Sequence, residues 1–342
     1  MVNIAFIGGT QRAVKTFEMI LKNWSRNIKI EFAIFMEGYE DEKTYCNQLV
    51  NLAKLNDIDY VVSDIITDEI INRMNTCKPK VLIGGGVWRS MVSKEFFDIP
   101  ELGYIGLHGT ALPEYRGWAG INWQIINGEK QIKTRMFRID EGVDSGNLVC
   151  RRNGNIFEYD IDIDNEKHLD EIFDDYLDMH LKAYNEFFEA LVNNDITFTA
   201  QDEVKATYAC NRSPEDGEIN WNDSTKNIFN FIRAQSTPYN GAFTFYNGEK
   251  IILWRVKPRY DYSNYLGRIT GKVVTRDKEN NSIVILTNDG GIEVFEGESQ
   301  NGEKNLLKIF NSVRKRCKTE VEAFIENFKN SKVKYKYFED LN

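Results

Sequence analysis

Residues 2–9 read Val-Asn-Ile-Ala-Phe-Ile-Gly-Gly. Six mostly apolar positions stopped by two glycines describe a short buried strand emptying into a turn. Beyond the glycines, Val14, Phe17, Ile20 and Leu21 recur at helical spacing and predict a helix over 13–23. The alternation continues outward: a strand over 28–35, a helix over 44–55, a strand over 59–62, a helix over 68–74 and a strand over 80–83. Strands and helices alternating at these lengths specify an α/β fold with a parallel, doubly wound sheet. Ligands of such sheets sit beyond the carboxyl ends of the strands, so the loops after Ile7, Ile83 and Ile105 mark the functional edge.

Past residue 200 the pattern changes. Tyr246-Asn247-Gly248-Glu249 lies between apolar runs at 242–245 and 251–256, which is a hairpin signal. Further short strands are expected over 269–274, 283–287 and 291–295, making a small antiparallel barrel. Over 305–329 the residues Leu306, Ile309, Phe310, Val313, Val321, Phe324, Ile325 and Phe328 form the apolar face of a predicted helix. Arg314-Lys315-Arg316 and Lys318 fall inside it and read as a solvated helix face. The expected organisation is an α/β domain over 1–200, a barrel domain over 201–300 and a helical extension over 301–342. That extension has two candidate partners, the chain's own barrel or a second subunit of a homodimer.

With 342 residues, 42% hydrophobic and 13% aromatic, the chain can bury the cores of a principal and a smaller domain. Its net charge of −9 opposes a phosphate backbone, so no nucleic-acid partner is expected. Cys46, Cys77, Cys150, Cys210 and Cys317 are scattered and contain no Cys-x-x-Cys pair. That usage fits reduced thiols in a cytoplasm, with neither a disulfide framework nor a structural metal. The opening apolar run is too short for a membrane span or a secretory signal, so cytoplasmic placement without a membrane partner is expected.

The chemistry concentrates between residues 103 and 150. Gly-Tyr-Ile-Gly-Leu-His-Gly-Thr-Ala-Leu-Pro-Glu-Tyr-Arg-Gly-Trp-Ala-Gly-Ile-Asn-Trp runs from Gly103 to Trp123, and Arg-Ile-Asp-Glu-Gly-Val-Asp-Ser-Gly-Asn-Leu from Arg138 to Leu148. His108 follows a predicted strand end and precedes a Gly/Pro-rich loop, so its imidazole can face a cleft. His168 and His180, the other two histidines, lie in an acidic helical stretch and read as exposed helix residues. Asp140, Glu141 and Asp144 supply carboxylates in a Gly-punctuated turn, and an imidazole base needs such a partner to fix its tautomer. Trp118, Trp123, Trp221 and Trp254 read as core.

These residues resemble the folate-dependent formyltransferases. That family shows Asn-x-His, a Ser or Thr two residues later, Leu-Pro-x-Tyr-Arg-Gly and a later Asp-x-Gly; here His108, Thr110, 112–117 and Asp144-Ser145-Gly146 match, with Asp144 36 positions after His108. Gly86-Val87-Trp88-Arg89, Ala206-Thr207-Tyr208, Arg212-Ser213-Pro214-Glu215-Asp216-Gly217 and 238–243 extend the likeness in order over about residues 1–300. It implies a Rossmann-like sheet followed by an OB-like barrel, with N10-formyltetrahydrofolate as formyl donor and no metal. It further implies His108 as general base with Asp144 as partner, and a donor site of Gly86, Val87, Trp88, Arg89, Asp140, Gly142 and Val143. Thr110, Arg116, Asn122 and Arg212 are the expected acceptor-side residues; Arg212 reads equally as a phosphate contact or as an ion pair with Glu215 or Asp216.

One departure stands out: the family's asparagine is Gly106 here. Losing an oxyanion donor of that kind costs about 3 kcal/mol of transition-state stabilisation, and Asn122 and Thr110 are the candidate substitutes. Within the family the acidic stretch 36–42 differs from the basic loop that methionyl-tRNA formyltransferases carry there. Sugar nucleotide N-formyltransferases match best, which implies a nucleotide-linked amino sugar as acceptor. A methionyl-tRNA acceptor ranks second, and an inactive ligand-binding relative is the alternative from another class.

Overall fold

β1 (Val2–Gly8) is buried at every residue from Ile4 onward, which explains its unbroken apolar run: a central parallel strand is covered on both faces. The computed structural model describes residues 1–38, 43–86, 93–163 and 166–330. They divide into two compact units, one of residues 1–121, 131–162 and 173–211, the other of 122–130, 163–172 and the chain from Arg212 onward.

In the first unit β1 pairs in parallel with β2 (Ile28–Phe35) and β4 (Val81–Gly84). β2 continues to β3 (Tyr60–Val62) and β4 to β5 (Tyr104–His108), giving the parallel order β3-β2-β1-β4-β5. Helices α1 (Gln11–Met19), α2 (Lys43–Leu55) and α3 (Asp68–Cys77) join the first four strands, and α4 (Lys94–Phe97) precedes β5. Thr10 caps α1 by accepting from the Ala13 amide, so the helix starts two residues before its apolar pattern, and its far end widens into a π-type turn over Ile20–Trp24. After β6 (Arg116–Gly117) and α5 (Gly120–Ile126) the sheet turns antiparallel. β7 (Gln131–Ile139) lies against β5, β8 (Leu148–Cys150) and β9 (Glu158–Asp162) against β7, and β10 (Thr197–Thr199) against β8. The doubly wound parallel sheet is therefore present and carries an antiparallel flank that the sequence pattern did not reveal.

The long helix α6 (Leu169–Val192) corrects the reading of two histidines. His180 is 2% exposed and His168, just before the helix, 4%. His180 stands one turn from both Tyr176 and Tyr184, inside the buried stripe of α6, and bonds Thr16 Oγ1 at 3.0 Å. Burial, with Arg12 nearby, holds its pKa well below the ordinary value.

β11 (Tyr208–Ala209) ends the first unit beside β6. In the second, α7 (Thr225–Arg233) precedes β12 (Ala242–Tyr246), β13 (Glu249–Arg259), β14 (Val273–Asp277), β15 (Ser282–Leu286) and β16 (Gly291–Ser299). These form an antiparallel sheet in the order β12-β13-β16-β15-β14, with Ile228, Phe229 and Ile232 of α7 in its core. Asn247 and Gly248, both left-handed, make the expected hairpin turn.

The predicted tail helix is broken. α8 (Leu306–Ile309) and α9 (Glu320–Asn330) are separated by extended chain in which Arg316 bridges Lys272, beside β14, and Lys318 bridges Phe245 on β12. One short segment thus pairs with both edges of the sheet and completes the barrel. Arg314, Lys315, Arg316 and Lys318 consequently lie off any helix face, because the main-chain groups of Cys317 and Lys318 bond Gly271 and Phe245. Helical structure resumes where Thr319 and Glu322 form a reciprocal capping box. Val321, Phe324, Ile325 and Phe328 are exposed on α9, and Ala323 is the buried residue. Among the described residues no helix is long and apolar enough to cross a membrane.

Candidate functional site

His108 ends β5, at the carboxyl edge of the parallel strands. Its ring is 14% exposed, and Nδ1 lies 3.6 Å from Oδ2 of Asp144. Two residues far apart in sequence therefore meet, at ion-pair range and slightly beyond a hydrogen bond. Nε2 of His108 faces the Tyr115 carbonyl at 3.3 Å, while Phe137 presents its ring edge-on at 5.9 Å. Carbonyl and carboxylate oxygens both only accept, so each ring nitrogen of His108 faces an acceptor, and a proton on either one is met by its partner.

Asp144 is held by the backbone. The Gly117 amide donates to its Oδ2 at 2.7 Å, and its own φ of 49° is a left-handed conformation uncommon for a non-glycine residue. Upstream, the Asp140 carboxylate accepts from the Gly142 amide and the Ser145 hydroxyl, which folds 140–145 into a tight exposed turn. Gly146 allows no side chain, since a Cβ there would stand 1.7 Å from the Arg138 carbonyl. Val143 projects into solvent at the turn's crest.

Arg116 is 1% exposed. Its guanidinium donates to both carboxylate oxygens of Glu203 at 2.6 and 2.9 Å, to Oε1 of Gln201 at 2.8 and 3.1 Å, and to Tyr208. This grip holds the Glu203 carboxyl below the usual carboxylate range. Thr110, fully buried, donates its hydroxyl proton to the Glu114 carbonyl at 2.7 Å. Both residues, expected on the acceptor side, are committed to the protein's own main and side chains. Trp118 was expected in the core and is instead 51% exposed, one residue beyond the amide that holds Asp144. The left-handed backbone at Tyr115, Gly117 and Ala119 turns this loop outward.

Gly106 lies on β5 opposite Phe137. A Cβ at this position would come 3.1 Å from Ile139 Cδ1, so the space an asparagine would enter adjoins an aliphatic neighbour. Asn122 belongs to the second unit, where its amide donates to the Ala234 carbonyl at 2.6 Å. In that unit Arg212 stacks 4.9 Å from the Trp123 ring and 5.4 Å from Phe231, and donates to the Asp216 carbonyl and Gln235. Its bond to Asp216 is thus to the main chain, while the Asp216 carboxylate caps Ser213. Trp221 is buried as expected, donating to Thr244; Trp123 and Trp254 are half-buried. Gly86 is described, whereas Val87, Trp88 and Arg89, and residues 39–42 of the acidic stretch, lie outside the described residues. Among the described residues no three His, Cys, Asp or Glu side chains gather as a metal centre would require. Two groups escaped sequence reasoning: the Tyr115 carbonyl on His108, and Gln201 behind Asp144.

A doubly wound sheet with an imidazole and a carboxylate at one strand end, followed in sequence by an antiparallel barrel, is the build of a group-transfer enzyme. Two family models match it, "Formyl transferase" over residues 42–172 and "Formyl transferase, C-terminal domain" over 212–314. The chain belongs to the formyl transferase family. It is 26% identical over 314 residues to the methionyl-tRNA formyltransferase of Ruminiclostridium cellulolyticum, covering 92% of this chain and 96% of that protein. It is 28% identical over 265 residues to the bifunctional polymyxin resistance protein ArnA of Wigglesworthia glossinidia brevipalpis, covering 77% of this chain and 38% of that one. Among solved structures, the sugar 3N-formyl transferase WlaRD, crystallised with dTDP and 5-N-formyl-THF, superposes with a TM-score of 0.59 at 20% identity over 89% of this chain and 99% of that one. The N-formyltransferase of Helicobacter canadensis, in complex with folinic acid and dTDP-3-aminofucose, gives 0.58 at 18% identity over 89% of this chain and all of its own.

Proposed function

We propose that this formyl transferase moves a formyl group from N10-formyltetrahydrofolate to the amine of a nucleotide-linked amino sugar, with His108 as general base and Asp144 as its partner. The observation that carries the reading is the approach of His108 Nδ1 to Asp144 at the end of β5. An attacking amine must lose a proton, and histidine is the side chain suited to accept one near neutrality. A ring that has taken the amine's proton carries N–H on both nitrogens, one towards the Asp144 carboxylate and the other towards the Tyr115 carbonyl. The resulting imidazolium is stabilised where it forms, as in hydrolytic triads, except that the acceptor supplies the nucleophile. When bound, the folate supplies an activated formyl carbon and a nitrogen leaving group. The exposed 140–143 turn, its main chain shaped by the Asp140 carboxylate, suits a pterin edge read by backbone groups.

The relatives differ in their acceptors, and the net charge of −9 favours a small anionic sugar nucleotide over tRNA. A methionyl-tRNA acceptor is the second reading, favoured by the match to such an enzyme across 92% of the chain. Mass spectrometry after incubation with 10-formyltetrahydrofolate and a panel of nucleotide-linked amino sugars tests the choice. Formylated sugar is the expected product; formylation of charged initiator tRNA alone would overturn the acceptor, and no transfer to either would overturn the catalytic reading.

A further inference from the structure

Gln201 is nine-tenths buried, and its side chain spends its whole hydrogen-bonding capacity in one place. Its Nε2 donates to the Asp144 carbonyl at 2.8 Å and to the Gly146 carbonyl at 2.7 Å. Its Oε1 accepts twice from Arg116, which is anchored in turn on Glu203. The carbonyls on either side of Ser145 are thus clamped by one amide, and that amide is oriented by a charged fork. The clamp fixes Asp144 in a left-handed conformation that Asp tolerates better than most residues. The same neighbourhood fixes the opposite side of the carboxylate: the Arg116 amide donates to the Thr207 carbonyl and the Trp118 amide to the Ala209 carbonyl. Gly117, between them, is the residue whose amide holds Asp144 Oδ2.

We propose that Gln201 is a positioning residue, setting through Asp144 the distance between carboxylate and imidazole on which formyl transfer depends. The proposal rests on the reading of His108 and Asp144 given above. Arg116, which matches the family's Arg-Gly motif, acts in it as the fixed post for Gln201.

Gln201→Glu keeps acceptors for Arg116 and removes both N–H donors; Gln201→Met removes the donors with an uncharged chain of similar length, in case the added carboxylate disturbs folding. Small displacements of a catalytic group and losses of its supports cost about 10- to 100-fold in rate. Both variants are therefore expected to lower kcat by that factor with KM for donor and acceptor within about twofold. In an Asp144→Asn background the second substitution should cost nothing further, because the clamp acts only through Asp144. Wild-type kcat in both variants, or independent multiplication of the two losses, would overturn the proposal. A wild-type protein that transfers no formyl group would sink the functional reading alone, and ¹⁵N chemical shifts of the His108 ring then decide. Gln201→Met reproducing the shift change of Asp144→Asn supports the clamp, and a ring signal identical to wild type refutes it.

Discussion

At the scale of single residues, the site pairs one base with one carboxylate and leaves the base's second nitrogen on a main-chain carbonyl. His108→Gln should lower kcat by about 100- to 10,000-fold, the usual contribution of general acid–base catalysis. Asp144→Asn should cost less, because an amide oxygen can still accept from Gly117; steady-state rates with an unchanged unfolding midpoint check both. His108 stood out in the sequence as the histidine beside a Gly/Pro-punctuated loop, whereas Asp144 was one of three carboxylates in its turn and was singled out by the family resemblance. Gln201 was illegible, since a buried glutamine 57 positions from its target bears no local mark. Arg116 was read as substrate-facing because an arginine after Leu-Pro-x-Tyr carries no sign of whether its charge is matched inside; Glu203, 87 positions on, matches it.

Elements with strong periodicity were read well. The parallel strands and the hairpin at Asn247-Gly248 follow directly from apolar runs and turn chemistry. β8 and β10 are three residues each, too short for any alternation to register, and the nine-residue β7 has the apolar pattern of its buried face interrupted by Thr134. The tail failed for another reason: apolar residues at 306–313 and 321–328 share a helical period, while the segment between them is claimed by sheet edges far away in sequence. Gly271 is the critical contact there, with φ 76° and room for a Cβ only 2.8 Å from the Cys317 carbonyl. Gly271→Ala is therefore expected to destabilise the second unit by about 1–3 kcal/mol, seen as a lowered urea midpoint for that unit's transition.

For the molecule as a whole, acid should be a specific stress. Burial, with Arg255 adding to it, lowers the pKa of His168 to about 4 from 6.5, and its Nε2 accepts from the Val256 amide. A depressed base is neutral in the folded state while the unfolded chain takes up the proton. Stability is thus full above pH 6.5, falls as pH drops through the window between 6.5 and about 4, and is level below it. The loss amounts to about 3 kcal/mol, and buried His180 acts in the same direction. Urea unfolding at pH 7 and pH 4.5 measures it; His168→Gln, which can still accept from Val256, should flatten the slope.

The Arg316–Lys318 bridges have a consequence for synthesis. Until this stretch has left the ribosome, β12 and the start of β14 are without the neighbour that later covers them, although both precede it in the chain. Nascent chains stalled at that stage would offer two bare strand borders to other polypeptides, making the final segment a guard against misassembly as well as a piece of the barrel.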